Sequence, residues 1–319
     1  MINRINVGRE RERKNIKMLT FNCDGNITAP YELSVFTSST SCVIAFLGII
    51  GNLVIIGVVS LDPLKKLHTP FNFFVVNLSV SDLVLGAVSV PIAAYVHALE
   101  ALKEVNNAYW YVFRGSFFIS MTASILNLIA LTVDRHIAIT YPIQYRAYLS
   151  WGRCFLISVG IWVFALTVPF LYLTTTLFRF LMVYVNSGIL VAFITFVITY
   201  VRILNFLKSQ SKTLRKKLIS SSAEIDKFDL QRVHTEKKIT RALLTALFLF
   251  ILTYLPASVM ICLLQFMKVE VEDCTMRHVL RDLLFLFIAL NSCMNLFVYA
   301  IRLKPFRKSI VALLRFRRE

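Results

Sequence analysis

A few residues in this chain have the type and spacing to do chemistry in an apolar setting. Asp134-Arg135-His136 puts an acid beside a base at the end of an uncharged run, 115–133, and Tyr141-Pro142 follows. Asp82 is a single acid inside another apolar stretch, FNFFVVNLSVSDLVLGAVSVP. Asn291 and Asn295 sit one helical turn apart, and Gly51-Asn52 marks an amide in a further run. Arg114 and Arg281 each fall at the edge of such a run. No nucleophile–base pair or metal-ligand cluster appears, so catalysis is not the expectation. What remains is charge pairing and cation coordination away from water. An Asp-Arg pair at a helix end is ordinarily a snorkelling interfacial pair, and a functional reading needs partners elsewhere in the chain. Asp82 is either a neutral, hydrogen-bonded acid or a functional one.

The elements that hold these residues are read from length and charge. The chain has 319 residues, 57% hydrophobic and 17% charged, which excludes an ordinary soluble domain. Uncharged runs occupy 33–61, 83–99, 115–133, 154–178, 180–201, 242–267 and 283–301. About 20 apolar residues at 1.5 Å each cross the hydrocarbon core as a helix. The fold class is therefore an all-α membrane protein, a bundle of seven transmembrane helices, the second beginning near Thr69. Residues 1–35 form an N-terminal segment, 36–302 the bundle, and 303–319 a short amphipathic helix and tail. In that last part Ile310, Leu313 and Leu314 share a face, suited to the inner leaflet.

Charge sets the orientation. Segment 208–238, of which 208–235 is read as a loop, carries nine Lys/Arg against four acids, and the tail from Arg302 carries seven. Lys65, Lys66, Arg146 and Arg153 lie on the same side, and the opposite loops are mixed or acidic. The positive-inside rule puts the C-terminus in the cytoplasm and the N-terminus outside; the plasma membrane is the expected location. The net charge of +17 follows this topology rather than one patch, so nucleic acid is not expected. Residues 1–20 lack the apolar core of a signal peptide, and their basic character leaves Met18 open as an alternative start. Asn26 is a glycosylation acceptor on the expected outside, whereas Asn77-Leu78-Ser79 lies within a span. Cys23 and Cys274 both fall outside, where they can bridge; the other cysteines are read as packing residues. Pro91 is expected to kink the second helix, and Pro256 to give the sixth a pivot.

Taken in order, these residues resemble the rhodopsin-like family of G-protein-coupled receptors. The match runs over roughly 36–312. It comprises Gly51-Asn52, Asn77-Leu78-Ser79 through Asp82, Asp134-Arg135-His136 with Tyr141-Pro142, Trp162, Tyr200, Phe250 with Pro256, and Asn295-Leu-Phe-Val-Tyr299 with Phe306. The resemblance implies a two-state bundle. Arg135 pairs at rest with Asp134 and with Glu236. An extracellular ligand favours a state in which the sixth helix swings outward about Pro256. Arg135 then meets Tyr200 and Tyr299, and a heterotrimeric G protein enters, touching Arg135 and Ile143. Phe250 and Tyr254 belong to this switch. Asp82, Ser124, Asn291 and Asn295 match the family's sodium pocket. No other cofactor is implied, and a purely hydrogen-bonded network stays open there.

Departures from the family are specific. Trp110 stands where the outer disulfide needs a cysteine, Ala192 replaces the usual proline of the fifth helix, Tyr254 replaces a tryptophan, and Leu296 follows Asn295. The first two, with the short outer loop, are similar to the melanocortin, cannabinoid, lysophospholipid and adenosine receptors. Phe117 occupies the position of the acid that binds amines, and the seventh helix has no lysine for retinal. Arg114 and Arg281 above Phe117, Met121 and Tyr254 suggest an apolar pocket with a cationic rim, which favours a lipid-like or anionic ligand. Alternatively the two arginines pair with Glu100, Glu104 or Asp282 and close the bundle. A peptide or odorant receptor of the same family is the second reading. A cation-coupled transporter is a remote third, disfavoured by the lack of inverted repeats.

Overall fold

The computed structural model describes residues 29–316, apart from 66, 105–106, 142–143, 146–148, 175–182, 184–185, 220–243, 247, 260–273 and 303. The apolar runs become helices, since in hydrocarbon a helix satisfies its own backbone groups. We label them α1 (Tyr31–Leu61), α2 (Pro70–Ala101), α3 (Asn107–Thr140), α4 (Trp151–Thr174), α5 (Asn186–Ile219), α6 (Leu244–Val259), α7 (Cys274–Arg302) and α8 (Lys304–Phe316). Among the described residues, α1–α5 and α7 are long and apolar enough to cross a membrane, and α6 is a shorter apolar helix.

Local chemistry fixes several ends. Asp62 closes α1 in a left-handed conformation, φ 31°, and its carboxylate accepts the Leu67 N–H at 2.8 Å, folding the turn that follows. Thr69 caps α2 by accepting the Asn72 N–H at 3.3 Å, and Pro70 fills the first helical position, where its missing N–H costs nothing. Next to the proline expected to kink α2, the chain forms a π-helical turn at Leu85–Ser89. The Val90 N–H reaches back to Leu85 O, and this wider turn accommodates the ring of Pro91 without ending the helix. The helix of α5 also runs on to Ile219, so residues 208–219 are helical rather than loop. Lys, Arg, Leu and Gln in that segment are good helix formers, and basic character did not prevent the helix from continuing.

The helices pack through small and polar residues, as helices in lipid must. Gly86 of α2 lies against α1 so closely that a Cβ there would be 3.4 Å from Ile49 N and 3.5 Å from Gly48 C. Asn77 of α2 is a hub. It donates to Asn127 Oδ1 of α3 (2.6 Å) and Ser158 Oγ of α4 (3.0 Å), and accepts from Trp162 Nε1 (2.8 Å). Asn52 of α1 donates to Ser292 O of α7 at 3.2 Å. By contrast α4 and α5 turn Phe155, Leu156, Phe170, Leu190, Val191 and Ile198 outward, a lipid-facing surface. In α8, Phe306 and Ser309 are buried, Ile310 and Leu313 pack on the core, and Arg307 and Lys308 are exposed.

Candidate functional site

Three polar layers run down the side of the bundle formed by α2, α3 and α7. The inner layer is the acid–base pair at the end of α3. Asp134 and Arg135 are both buried, 2% and 6% exposed, so their charges require partners within the protein. Arg135 Nη2 lies 2.6 Å from Asp134 Oδ2, and its Nε donates to the same oxygen at 2.8 Å. Tyr145, in the segment after α3, completes the set. Its hydroxyl donates to Asp134 Oδ1 at 2.8 Å and accepts from Arg135 Nη2 at 3.2 Å. The guanidinium centre also stands 4.5 Å from the centre of the Phe71 ring of α2. Burial pushes the Tyr145 phenol well above its ordinary range, so it stays a neutral donor to the carboxylate. Neither Tyr145 nor Phe71 is evident from sequence. Tyr145 is eleven residues beyond Asp134, a spacing that makes contact only because the chain turns after Thr140.

The middle layer surrounds Asp82, 1% exposed. Ser124 Oγ of α3 donates to Oδ1 at 2.9 Å, and Asn295 Nδ2 of α7 donates to Oδ2 at 2.5 Å. Ser81 adds a hydroxyl contact to Ser124 at 2.9 Å, and Ser120 donates to Ser81 O. Asn291 is buried one turn from Asn295 but forms no hydrogen bond to Asp82. A carboxylate with neutral donors and two further oxygen-bearing side chains nearby has the donor set that suits a hard monovalent cation.

Between these layers lies an aromatic stack. Phe250 and Tyr254 of α6 stack with centroids 4.4 Å apart, and Phe196 of α5 meets Phe250 edge-on at 5.8 Å. Pro256 lies half a turn beyond Tyr254 in α6. Tyr299 is 1% exposed, and its hydroxyl finds no hydrogen-bond partner among the described residues. Its ring lies 6.1 Å from that of Phe306, tying α7 to α8. Tyr200 is half-buried, and no hydrogen bond links it to Arg135 or Tyr299.

The outer layer contains the two arginines. Arg281 of α7 is held by carboxylates on two sides. It donates to Glu100 of α2 at 3.2 and 2.8 Å and to Asp282 at 2.6 Å. Its guanidinium also sits 5.0 Å from the Trp110 ring, and that of Arg114 lies 5.4 Å from the same ring. His97 and His278, which sequence did not single out, stand 3.1 and 3.6 Å from Glu100. Beneath, Phe117 packs with Phe113 and Phe285 at 5.7 and 6.0 Å. Met121 and Tyr254 are buried in the same apolar cluster, on which Phe117 packs. Glu236, Ile143, Asn26 and Cys23 lie outside the described residues, and Cys274 opens α7. Among the described residues no group of His, Cys, Asp and Glu is arranged to hold a metal.

Comparison with known proteins agrees with this architecture. The model of the 7 transmembrane receptor (rhodopsin family) matches residues 51–180 and 171–299. Adenosine receptor A3 of Ovis aries is 29% identical over 91% of this chain and 93% of its own. A GQ-coupled rhodopsin of Mizuhopecten yessoensis is 26% identical over 84% of this chain and 57% of its own. The crystal structure of squid rhodopsin superposes with a TM-score of 0.76 at 16% identity, covering 91% of this chain and 87% of that one. The chain is a multi-pass membrane protein of the rhodopsin family of seven-transmembrane receptors, a G-protein-coupled receptor and not an enzyme.

Proposed function

We propose that this receptor sits in the plasma membrane with its N-terminus outside, binds a small extracellular ligand between α3, α6 and α7, and activates a heterotrimeric G protein at its inner end. The observation that carries the proposal is the buried set of Asp134, Arg135 and Tyr145. A buried guanidinium whose acid and phenol partners lie in its own helix and the adjoining loop is a switch contact: it holds one state and is released in another. In the released state α6 moves outward about Pro256, Arg135 turns toward Tyr200 and Tyr299, and the G protein contacts Arg135 and Ile143. Glu236, which the family resemblance offers as a second partner for Arg135, adds a further restraint. The unpartnered Tyr299 hydroxyl is a polar group ready for a new bond in that state.

The ligand proposed is small and largely apolar, lying on Phe117, Met121 and Tyr254 with Arg114 at the rim. An anionic head group suits Arg114. Arg281 contributes less than its position in the sequence suggests, because Glu100 and Asp282 already hold it. A peptide or odorant ligand is the alternative. The similarity to adenosine receptor A3 raises a nucleoside-like ligand as a further screen candidate. At mid-membrane we propose a sodium ion held by Asp82, Ser124 and Asn295 with Asn291 nearby. It offsets the carboxylate charge where water is scarce.

Three outcomes are expected. First, Tyr145→Phe removes the hydrogen bonds to Asp134 and Arg135, together about 1–3 kcal/mol. It raises ligand-free G-protein dissociation in at least one G-protein class at matched surface expression, and an unchanged basal signal in every class would refute the switch role of Tyr145. Second, replacing N-methylglucamine by sodium raises the melting temperature of the purified receptor, and Asp82→Asn abolishes that increment; equal sodium effects in both proteins would remove the cation site. Third, in a screen of lipids, small anions and nucleosides, Arg114→Ala weakens the response to an anionic hit at least tenfold, about 1.4 kcal/mol. A full response from well-expressed Arg114→Ala would exclude that contact.

A further inference from the structure

We propose that the outer ends of α1, α2, α3 and α7 are fastened by an ionic clasp centred on Arg281, which does the work of the cross-link that α3 lacks. Trp110 stands at the top of α3 where the family resemblance expects a bridging cysteine. The described free cysteines, Cys42, Cys154 and Cys293, all lie on other helices.

The clasp draws in one element after another. Arg281 of α7 presents two N–H groups to Glu100 of α2 and its Nε to Asp282. Asp282 accepts the Thr37 hydroxyl of α1 at 3.0 Å. His97 of α2 lies between the two acids, with Nδ1 at 3.1 Å from Glu100 Oε2 and 3.7 Å from Asp282 Oδ2. His278 of α7 approaches the other Glu100 oxygen at 3.6 Å. Trp110 of α3 is gripped from two directions, by the guanidinium at 5.0 Å and by the edge-on His97 ring at 5.7 Å. Phe113 and Phe285, edge-on at 5.2 Å, continue the α3–α7 contact one turn below.

Burial decides how strong this arrangement is. An exposed Arg–Glu pair contributes little because water and salt screen it. Here Glu100 is 5% exposed, Asp282 1%, His97 2% and Thr37 0%. Removing the cation leaves two carboxylates facing each other out of water, which is the expensive way to break a buried ion pair. The planar five-donor fork of Arg serves both acids and the indole face at once, which a lysine ammonium does not. Arg281 is thus a positioning residue for the outer bundle. A ligand anion would have to displace two carboxylates to reach it. The clasp does not depend on the identity of the ligand or on the sodium proposal.

The test uses the full-length receptor in lipid nanodiscs: wild type, Glu100→Gln, Arg281→Lys, Arg281→Met and the double variant Glu100→Gln/Arg281→Met. Arg281→Met is expected to lower the melting temperature by roughly 5–10 °C. The double variant should melt above Arg281→Met, because one stranded charge has been removed, and Arg281→Lys should fall between Arg281→Met and wild type. Hydrogen exchange should quicken at the outer ends of α2, α3 and α7 and stay unchanged around Asp134. Wild-type melting in Arg281→Met would overturn the proposal. So would a double variant no more stable than Arg281→Met, or exchange that quickens equally at both ends. If Arg281→Met does not reach the membrane, Glu100→Gln and Arg281→Lys carry the same exchange test.

Discussion

A charge taken out of water must be answered inside the protein, and most of this receptor's polar architecture follows from that constraint. Asp82, Asp134, Arg135, Glu100 and Asp282 are all nearly inaccessible, and each is met by specific groups from its own or adjacent elements. The outer and middle layers join α2, α3 and α7, and the inner one joins α3 to Phe71 of α2. Asn52 and Asn77 add neutral links to α1 and α4. The α1–α2–α3–α7 half of the bundle is therefore pinned by directional bonds at the top, the middle and, through α3, the inner end. In lipid such bonds carry more of the specificity of packing, because apolar contact alone does not distinguish helix from hydrocarbon.

The other half is built differently. Among the described residues, α5 and α6 meet through Phe196 on Phe250, with Phe250 stacked on Tyr254, and through one hydrogen bond from Ser258 Oγ to Asn186 Oδ1 at 2.7 Å. Aromatic stacks slide at lower cost than buried salt bridges break, so the moving part of a two-state receptor is best placed here. This division also explains the substitutions relative to the family. Trp110 loses the cysteine's covalent tie but gains a ring that Arg281 and His97 hold. Tyr254 keeps an aromatic surface against Phe250 while bringing a hydroxyl into the core.

The helices were legible in the sequence because span length and charge boundaries are direct consequences of bilayer thickness. The convergence of Asp82, Ser124 and Asn295 was legible only through the order of motifs, since no spacing rule links residues 42 and 213 positions apart. Glu100 and Asp282 were among the acids available to Arg281, but sequence did not choose between pairing and ligand binding; the geometry places both on its guanidinium. Tyr145 was missed because its contact depends on a loop's path, and loops follow no hydrophobic period. The π-helical turn before Pro91 was missed for a different reason. A proline marks a lost backbone bond, and whether the helix bends or widens is decided by the neighbours it packs against.

On the proposed function, the Asp134–Arg135–Tyr145 set holds the inner end closed. The most direct measurement is the distance distribution between spin labels at Arg153→Cys on α4 and Leu244→Cys at the start of α6. It would be recorded in nanodiscs on a receptor whose other reactive cysteines are removed. One dominant short distance is expected, with a second, longer population when Asp134→Asn weakens the hold on Arg135. Purified G protein should enlarge that population. A single distance, unmoved by Asp134→Asn and by G protein, would contradict it.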